Sequence, residues 1–162
     1  MKAAMSERAL LRAALRDFYE DYAICLDAVE LERWPDFFVE DCRYRVLSRE
    51  NHDAGLPLSL IYCDGRNMLK DRVTALRETT VHEPRSLRHF ISCVRPTAVE
   101  GGLIRAEANF AILESLSDRE PELNMVGRYL DTLVETDEGF LLKDRWCVYD
   151  NYRIRNSLII PV

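Results

Sequence analysis

Three strand-like runs crowd the last third of this chain: LIRAEANFAIL at 103–113, NMVGRYLDTLVE at 124–135 and FLLKDRWCVYD at 140–150. Each alternates in the two-residue period of a strand with one buried face. Gly101-Gly102 and Asp137-Glu138-Gly139 supply the turns between runs. Such a series commits the chain to a large antiparallel sheet, and the remaining residues must cover one of its faces.

The first half offers that cover. Ser6 is placed to cap a helix in which Leu11, Leu15, Phe18, Tyr22, Cys25 and Val29 recur every three or four residues, one apolar stripe. Residues 31–38 (LERWPDFF) read as a short second helix anchored by Trp34, Phe37 and Phe38, with Pro35 at a start or break. Residues 42–47 alternate as a strand, 48–55 read as a polar loop, and 56–63 form an apolar run. Asp64-Gly65 then signals a turn or cap before a helical pattern at 68–78. Residues 86–94 are expected to be a strand that breaks at Arg95-Pro96. Helices first and one long antiparallel meander afterwards give an α+β plan, helices on one face of a curled sheet. No repeat or linker divides the chain, so residues 1–162 are expected to form one domain.

Composition narrows the chemistry. Twenty-two basic against 28 acidic residues leave a net charge of −6, which argues against a nucleic-acid partner. No run is long and apolar enough to suggest a membrane span, and residues 1–22 lack the apolar core of a signal peptide. Five widely spaced cysteines, Cys25, Cys42, Cys63, Cys93 and Cys147, read as reduced thiols packed as small apolar groups in a cytoplasmic protein.

Metal motifs are missing. A cluster held by two Cys and two His needs one pair on each of two loops, and no cysteine here has a His two or three residues later. A non-haem iron site needs two His and a carboxylate, and the three histidines, His52, His82 and His89, are scattered. There is no Gly-x-Ser-x-Gly elbow and no glycine-rich phosphate loop. Acid–base chemistry is harder to dismiss. His89 shares a strand face with Leu87, Ile91 and Cys93, and Asp131 with Met125, Tyr129 and Leu133. They read either as a general acid/base pair or as a satisfied core histidine and a carboxylate paired with an arginine.

The charged strand positions need their own account. Arg105, Glu107 and Asn109 alternate with apolar residues, Arg128 alternates with Tyr129, and Lys143 and Arg145 alternate with Leu142, Asp144 and Trp146. We expect one core face and one face of charge mixed with large side chains, docked on another subunit. The candidate contacts are Arg105, Arg128, Arg145, Trp146, Tyr152 and Arg153.

The ordered segments FVEDCRYRV (38–46), ENHDAGLPL (50–58), MLKDRVTALRET (68–79), HEPRSLRHFISCVRP (82–96), ANFAI (108–112), VGRYLDTL (126–133) and LLKDRWCVYDNYRIRNSLIIPV (141–162) carry a resemblance. The chain resembles the small (β) subunit of Rieske-type aromatic ring-hydroxylating oxygenases, from about residue 15 onward. It looks most similar to those acting on single-ring aromatic acids, of the salicylate 5-hydroxylase or terephthalate dioxygenase type. The resemblance implies a cone of curved antiparallel sheet wrapped around helices, shared with nuclear transport factor, scytalone dehydratase and ketosteroid isomerase. It implies no catalytic, cofactor or metal residue on this chain. The [2Fe–2S] Rieske cluster and the mononuclear Fe(II) would lie on a large (α) subunit fed by a reductase or ferredoxin, with three large and three small chains in a hexamer. The alternative is a free-standing cone-fold dehydratase or isomerase using pocket residues such as Tyr44, His89 or Asp131.

Overall fold

A computed structural model describes residues 6–81, 83–154, 158 and 160–162. Helix α1 spans Glu7–Asp27, and the Ser6 hydroxyl accepts from the Ala9 amide at 3.3 Å. Its buried side, from Leu15 through Phe18, Tyr19, Tyr22 and Ala23 to Cys25 and Leu26, follows the expected stripe. The segment expected as a second helix is only a 3-10 turn, Trp34–Phe37, because Pro35 permits entry but the chain is already extended at Phe38. Strand β1 (Phe38–Ser48) follows, and then a short helix α2 (Arg49–Asp53) where a loop was expected. Ser48 makes that helix possible: its hydroxyl accepts from the Asn51 amide at 3.1 Å. After β2 (Ile61–Asp64), Gly65 at φ +94° opens helix α3 (Arg66–Glu78).

Strands β3 (Arg85–Glu100), β4 (Leu103–Leu116), β5 (Glu122–Thr136) and β6 (Gly139–Tyr149) form the expected meander. Strand β3 does not stop at Arg95-Pro96. It carries one irregularity between Ser92 and Arg95 and another between Pro96 and Ala98, and continues to Glu100. Being the edge strand, β3 can accept a proline without losing a ladder bond to a second neighbour. The first bulge holds Cys93 at φ +57°.

The sheet order is β2-β1-β6-β5-β4-β3. Strand β1 lies parallel to β6, so the first long strand joins the last and the sheet is not purely antiparallel. Helix α1 packs along β3 on the concave side. Its aromatic stripe meets Trp34, Phe38, Tyr44, Phe110 and Tyr129, all 0–1% exposed, in one continuous core. Each fully buried aromatic or leucine contributes on the order of 2–3 kcal/mol through area removed from water. This α+β cone is the expected fold class.

The outer face and the filled cone

Alternation assigns the two sides of the sheet. Ile104, Ala106, Ala108, Phe110 and Ile112 of β4 and Met125, Gly127, Tyr129, Asp131 and Leu133 of β5 point inward and are buried. Gly127 is required by close approach: an added Cβ would sit 2.1 Å from the Val148 carbonyl oxygen.

Strand β6 breaks the alternation. Leu133 pairs with Leu142, but Thr132 pairs with Asp144 and Asp131 with Arg145, so one extra residue lies in β6 at Lys143. Because a one-residue slip reverses every later side chain, Arg145 turns inward. The expectation that Arg145 is a subunit contact is therefore corrected: its side chain is 0% exposed inside its own chain.

There it meets Asp131. Arg145 donates from Nη2 to Asp131 Oδ2 at 2.7 Å and from Nε to both carboxylate oxygens at 3.1 and 3.2 Å. The Tyr19 hydroxyl donates to the same Oδ2 at 2.5 Å. The guanidinium also stacks on Tyr22 at 4.0 Å, Tyr129 at 4.3 Å and Tyr19 at 5.1 Å. Burial pulls its pKa down, but the Asp131 carboxylate and the surrounding tyrosines turn the net shift well upward, so it stays charged. Burial, reinforced by Asp131, pushes the Tyr19 phenol up, and burial does the same for Tyr22, Tyr44 and Tyr129.

A second part of the interior is also occupied, while a cleft of about 800 Å³ lined by Ala23, Asp27, His89, Phe110 and Gly127 opens between α1 and strands β3–β5. Val162 is fully buried; its amide donates to the Tyr44 hydroxyl at 2.8 Å, and its carbonyl oxygen accepts from Tyr22 at 2.9 Å. Trp34 Nε1 donates to the Tyr22 hydroxyl at 2.9 Å.

The three acid–base candidates are thus separated by their partners. Tyr44 is engaged with Val162 and Asp131 with Arg145 and Tyr19, while His89 meets Asp27 Oδ1 at 2.6 Å through Nδ1 and keeps a buried Nε2 without a hydrogen-bond partner among the described residues. His89 and Asp131 do not form a pair. His82 lies outside the described residues. Among the described residues no three His, Cys, Asp or Glu side chains converge to hold a metal ion. The cysteines are free; four are buried, but Cys93 is exposed at its bulge rather than packed. No described helix is long and apolar enough to cross a membrane.

The outer face carries the other candidates. Arg105 is exposed on β4, while Arg128 on β5 and Trp146 on β6 are half-buried. Tyr152 and Arg153 are exposed beyond β6. One transverse row runs Tyr62, Arg45, Trp146, Leu130, Glu107, Arg95 across all six strands. Arg105 and Arg128 flank Leu130 in the rows on either side. A depression of about 370 Å³ opens here, walled by Arg43, His52, Arg105, Leu130, Thr132 and Trp146. Some charges of this face are answered internally: Arg43 holds Asp144 at 2.7 Å and Arg95 holds Glu107 at 3.0 Å. The sequence reading missed Arg45. Its guanidinium lies 4.8 Å from the Tyr62 ring centroid and 5.0 Å from that of Trp146, and its Nε is buried without a hydrogen-bond partner among the described residues. A strand arginine flanked by aromatic residues on both neighbouring strands was the available signal, legible only once the β1–β6 pairing was known.

A cone-shaped sheet with much of its interior taken by its own side chains, and with arginines and aromatic rings on its outer face, defines a cone-fold protein. Comparison with known proteins gives the particular family. Residues 22–156 match the model for the ring hydroxylating beta subunit, and the chain belongs to that family. It is 36% identical over 137 residues to the anthranilate 1,2-dioxygenase small subunit of Burkholderia cepacia, covering 85% of each chain. It is 33% identical over 147 residues to terephthalate 1,2-dioxygenase terminal oxygenase component subunit beta 2 of Comamonas sp, covering 90% of this chain and 94% of the relative. Among solved structures it resembles the beta subunit of a protein assigned as an aromatic-ring-hydroxylating dioxygenase from Novosphingobium aromaticivorans. That match has 39% identity and a TM-score of 0.87, over 94% of this chain and 97% of that one.

Proposed function

We propose that residues 1–162 act as one domain, the structural small subunit of an oxygenase that hydroxylates a monocyclic aromatic acid, with the chemistry on a large subunit. The family match over residues 22–156 carries this reading, and the relatives that act on anthranilate and terephthalate support the acid class. The separation of the acid–base candidates supports a scaffolding role. Of the residues a cone-fold dehydratase or isomerase would use, Tyr44 is held by Val162 and Asp131 by Arg145, and His89, which meets Asp27 through Nδ1 and leaves Nε2 unpartnered among the described residues, pairs with neither.

The rest of the assembly follows from this reading. The large subunit holds the [2Fe–2S] Rieske cluster and the mononuclear Fe(II), and receives electrons from a reductase or ferredoxin. Three small and three large chains make the hexamer, in the cytoplasm. The contact residues on this chain are Arg105, Arg128, Trp146, Tyr152 and Arg153.

Co-expression of this chain, carrying an affinity tag, with its cognate large subunit tests the reading. Recovery of an equimolar complex with iron and ring-hydroxylating turnover is expected, the lone chain having neither. Stoichiometric iron on the lone chain, or turnover of an aromatic acid by it alone, would overturn the proposal.

A further inference from the structure

We propose that Arg45, clamped between Tyr62 and Trp146, is the anchor at which a carboxylate side chain of the large subunit docks. This rests on the small-subunit reading and adds to it the chemistry of the partner at one point of the contact. A guanidinium stacked between two rings is fixed in plane, so its fork is pre-aimed. His52 meets the same indole edge-on, 5.7 Å from the Trp146 centroid at 85°. The fork has no acceptor: Nε is buried and unpartnered, and neither an ion pair nor a hydrogen bond joins the side chain to any described residue. With Nε closed off, the two terminal nitrogens are what a partner can reach, and a carboxylate approaching end-on accepts from both.

Charge distribution selects the partner. Arg105 and Arg128 are likewise without an ion partner among the described residues, so three unanswered arginines surround Trp146 and Leu130. Three nearby carboxylates are already taken, Asp144 by Arg43, Glu107 by Arg95 and Asp41 by Lys143. A second copy of this chain would therefore have to present another surface. Its α1 is mixed in sign, with Arg8, Arg12 and Arg16 interspersed among Glu7, Asp17, Glu20 and Asp21. The complement of a face whose unpaired charges are mostly arginine is a foreign acidic surface, and the large subunit is the foreign chain that family membership supplies.

The test compares wild type, Arg45→Met and Arg45→Lys for binding to the purified large subunit, by titration at low and high salt. The expected result is a loss of about 30-fold or more for Arg45→Met, a smaller loss for Arg45→Lys, which keeps the charge but not the planar fork, and a shallower salt dependence in the Met variant. If Arg45→Met lowers the thermal midpoint of the isolated chain, the Arg45→Lys comparison alone decides. Wild-type affinity in both variants would overturn the anchor while leaving the small-subunit reading intact. A change in the chain's self-association, with affinity for the large subunit unaltered, would also overturn it. Failure of the wild-type chain to bind the large subunit would instead sink the underlying reading.

Discussion

Arg145 and Arg45 lie one row apart on paired strands, Arg145 opposite Tyr44 and Arg45 opposite Trp146, yet they face opposite sides of the sheet. Both are stacked on aromatic rings. Inside, the chain answers its own charge: Asp131 takes three hydrogen bonds from Arg145, and Tyr19 closes the set. Outside, the rings hold Arg45 in place and no described residue answers its charge. Where water is excluded an unpaired charge would unfold the molecule, so the pair must be internal. At a surface the same omission is tolerated, and it leaves a group free to recognise another molecule. The contrast separates residues whose charge is answered within the chain from residues whose charge is left to the surface.

The largest effect should come from breaking the internal pair. Asp131→Ala leaves a buried guanidinium without its counter-ion and should cost about 3–5 kcal/mol in urea unfolding. Replacing both partners, with Asp131→Leu and Arg145→Met together, should recover most of that loss; no recovery would mean that packing, not charge, explains the single variant. Gly127→Ala comes next. Its Cβ would meet the Val148 carbonyl at 2.1 Å, backbone that cannot swing aside, and the expected loss is about 2–3 kcal/mol.

The filled interior also sets a pH dependence. Burial pushes the Cys25 and Cys42 thiols from 9.0 up to about 11, and raises the four core tyrosines. A raised folded value means the native state holds its proton longer than the unfolded chain. The resulting stability is complete below the unfolded pKa and is lost as pH rises through the folded one. Urea midpoints should therefore be insensitive to these groups below about pH 8 and fall between about pH 9 and 11. The smallest stability effects belong to the outer face. Arg105→Glu and Arg128→Glu should shift the isolated chain's stability by no more than about 0.5 kcal/mol while weakening its complex with the large subunit. A large loss of intrinsic stability would erase the distinction between the two faces.

Much of this was legible in the sequence. The α1 stripe, the two turns of the meander and the inward rows of β4 and β5 follow from periodicity alone. Long-range pairing was not. Nothing local says that β1 lies beside β6, so the Tyr62–Arg45–Trp146 row could not be seen. The inward turn of Arg145 was hidden by the single extra residue at Lys143, yet a clue was present. An unbroken ladder from Thr136 and Gly139 would set Asp131 against Asp144, two like charges, and the bulge replaces that clash with a salt bridge. The capping of α2 by Ser48 was equally readable and was passed over in a segment of loop-like composition.

The account stands on one claim, that this subunit shapes an oxygenase without taking part in bond making. The most direct test is turnover by the assembled complex containing His89→Gln, which alters the interior imidazole best placed to move a proton. Per assembled complex, kcat is expected to match wild type across the pH range. A tenfold or greater fall in kcat, with assembly and the iron content of the complex unchanged, would contradict it.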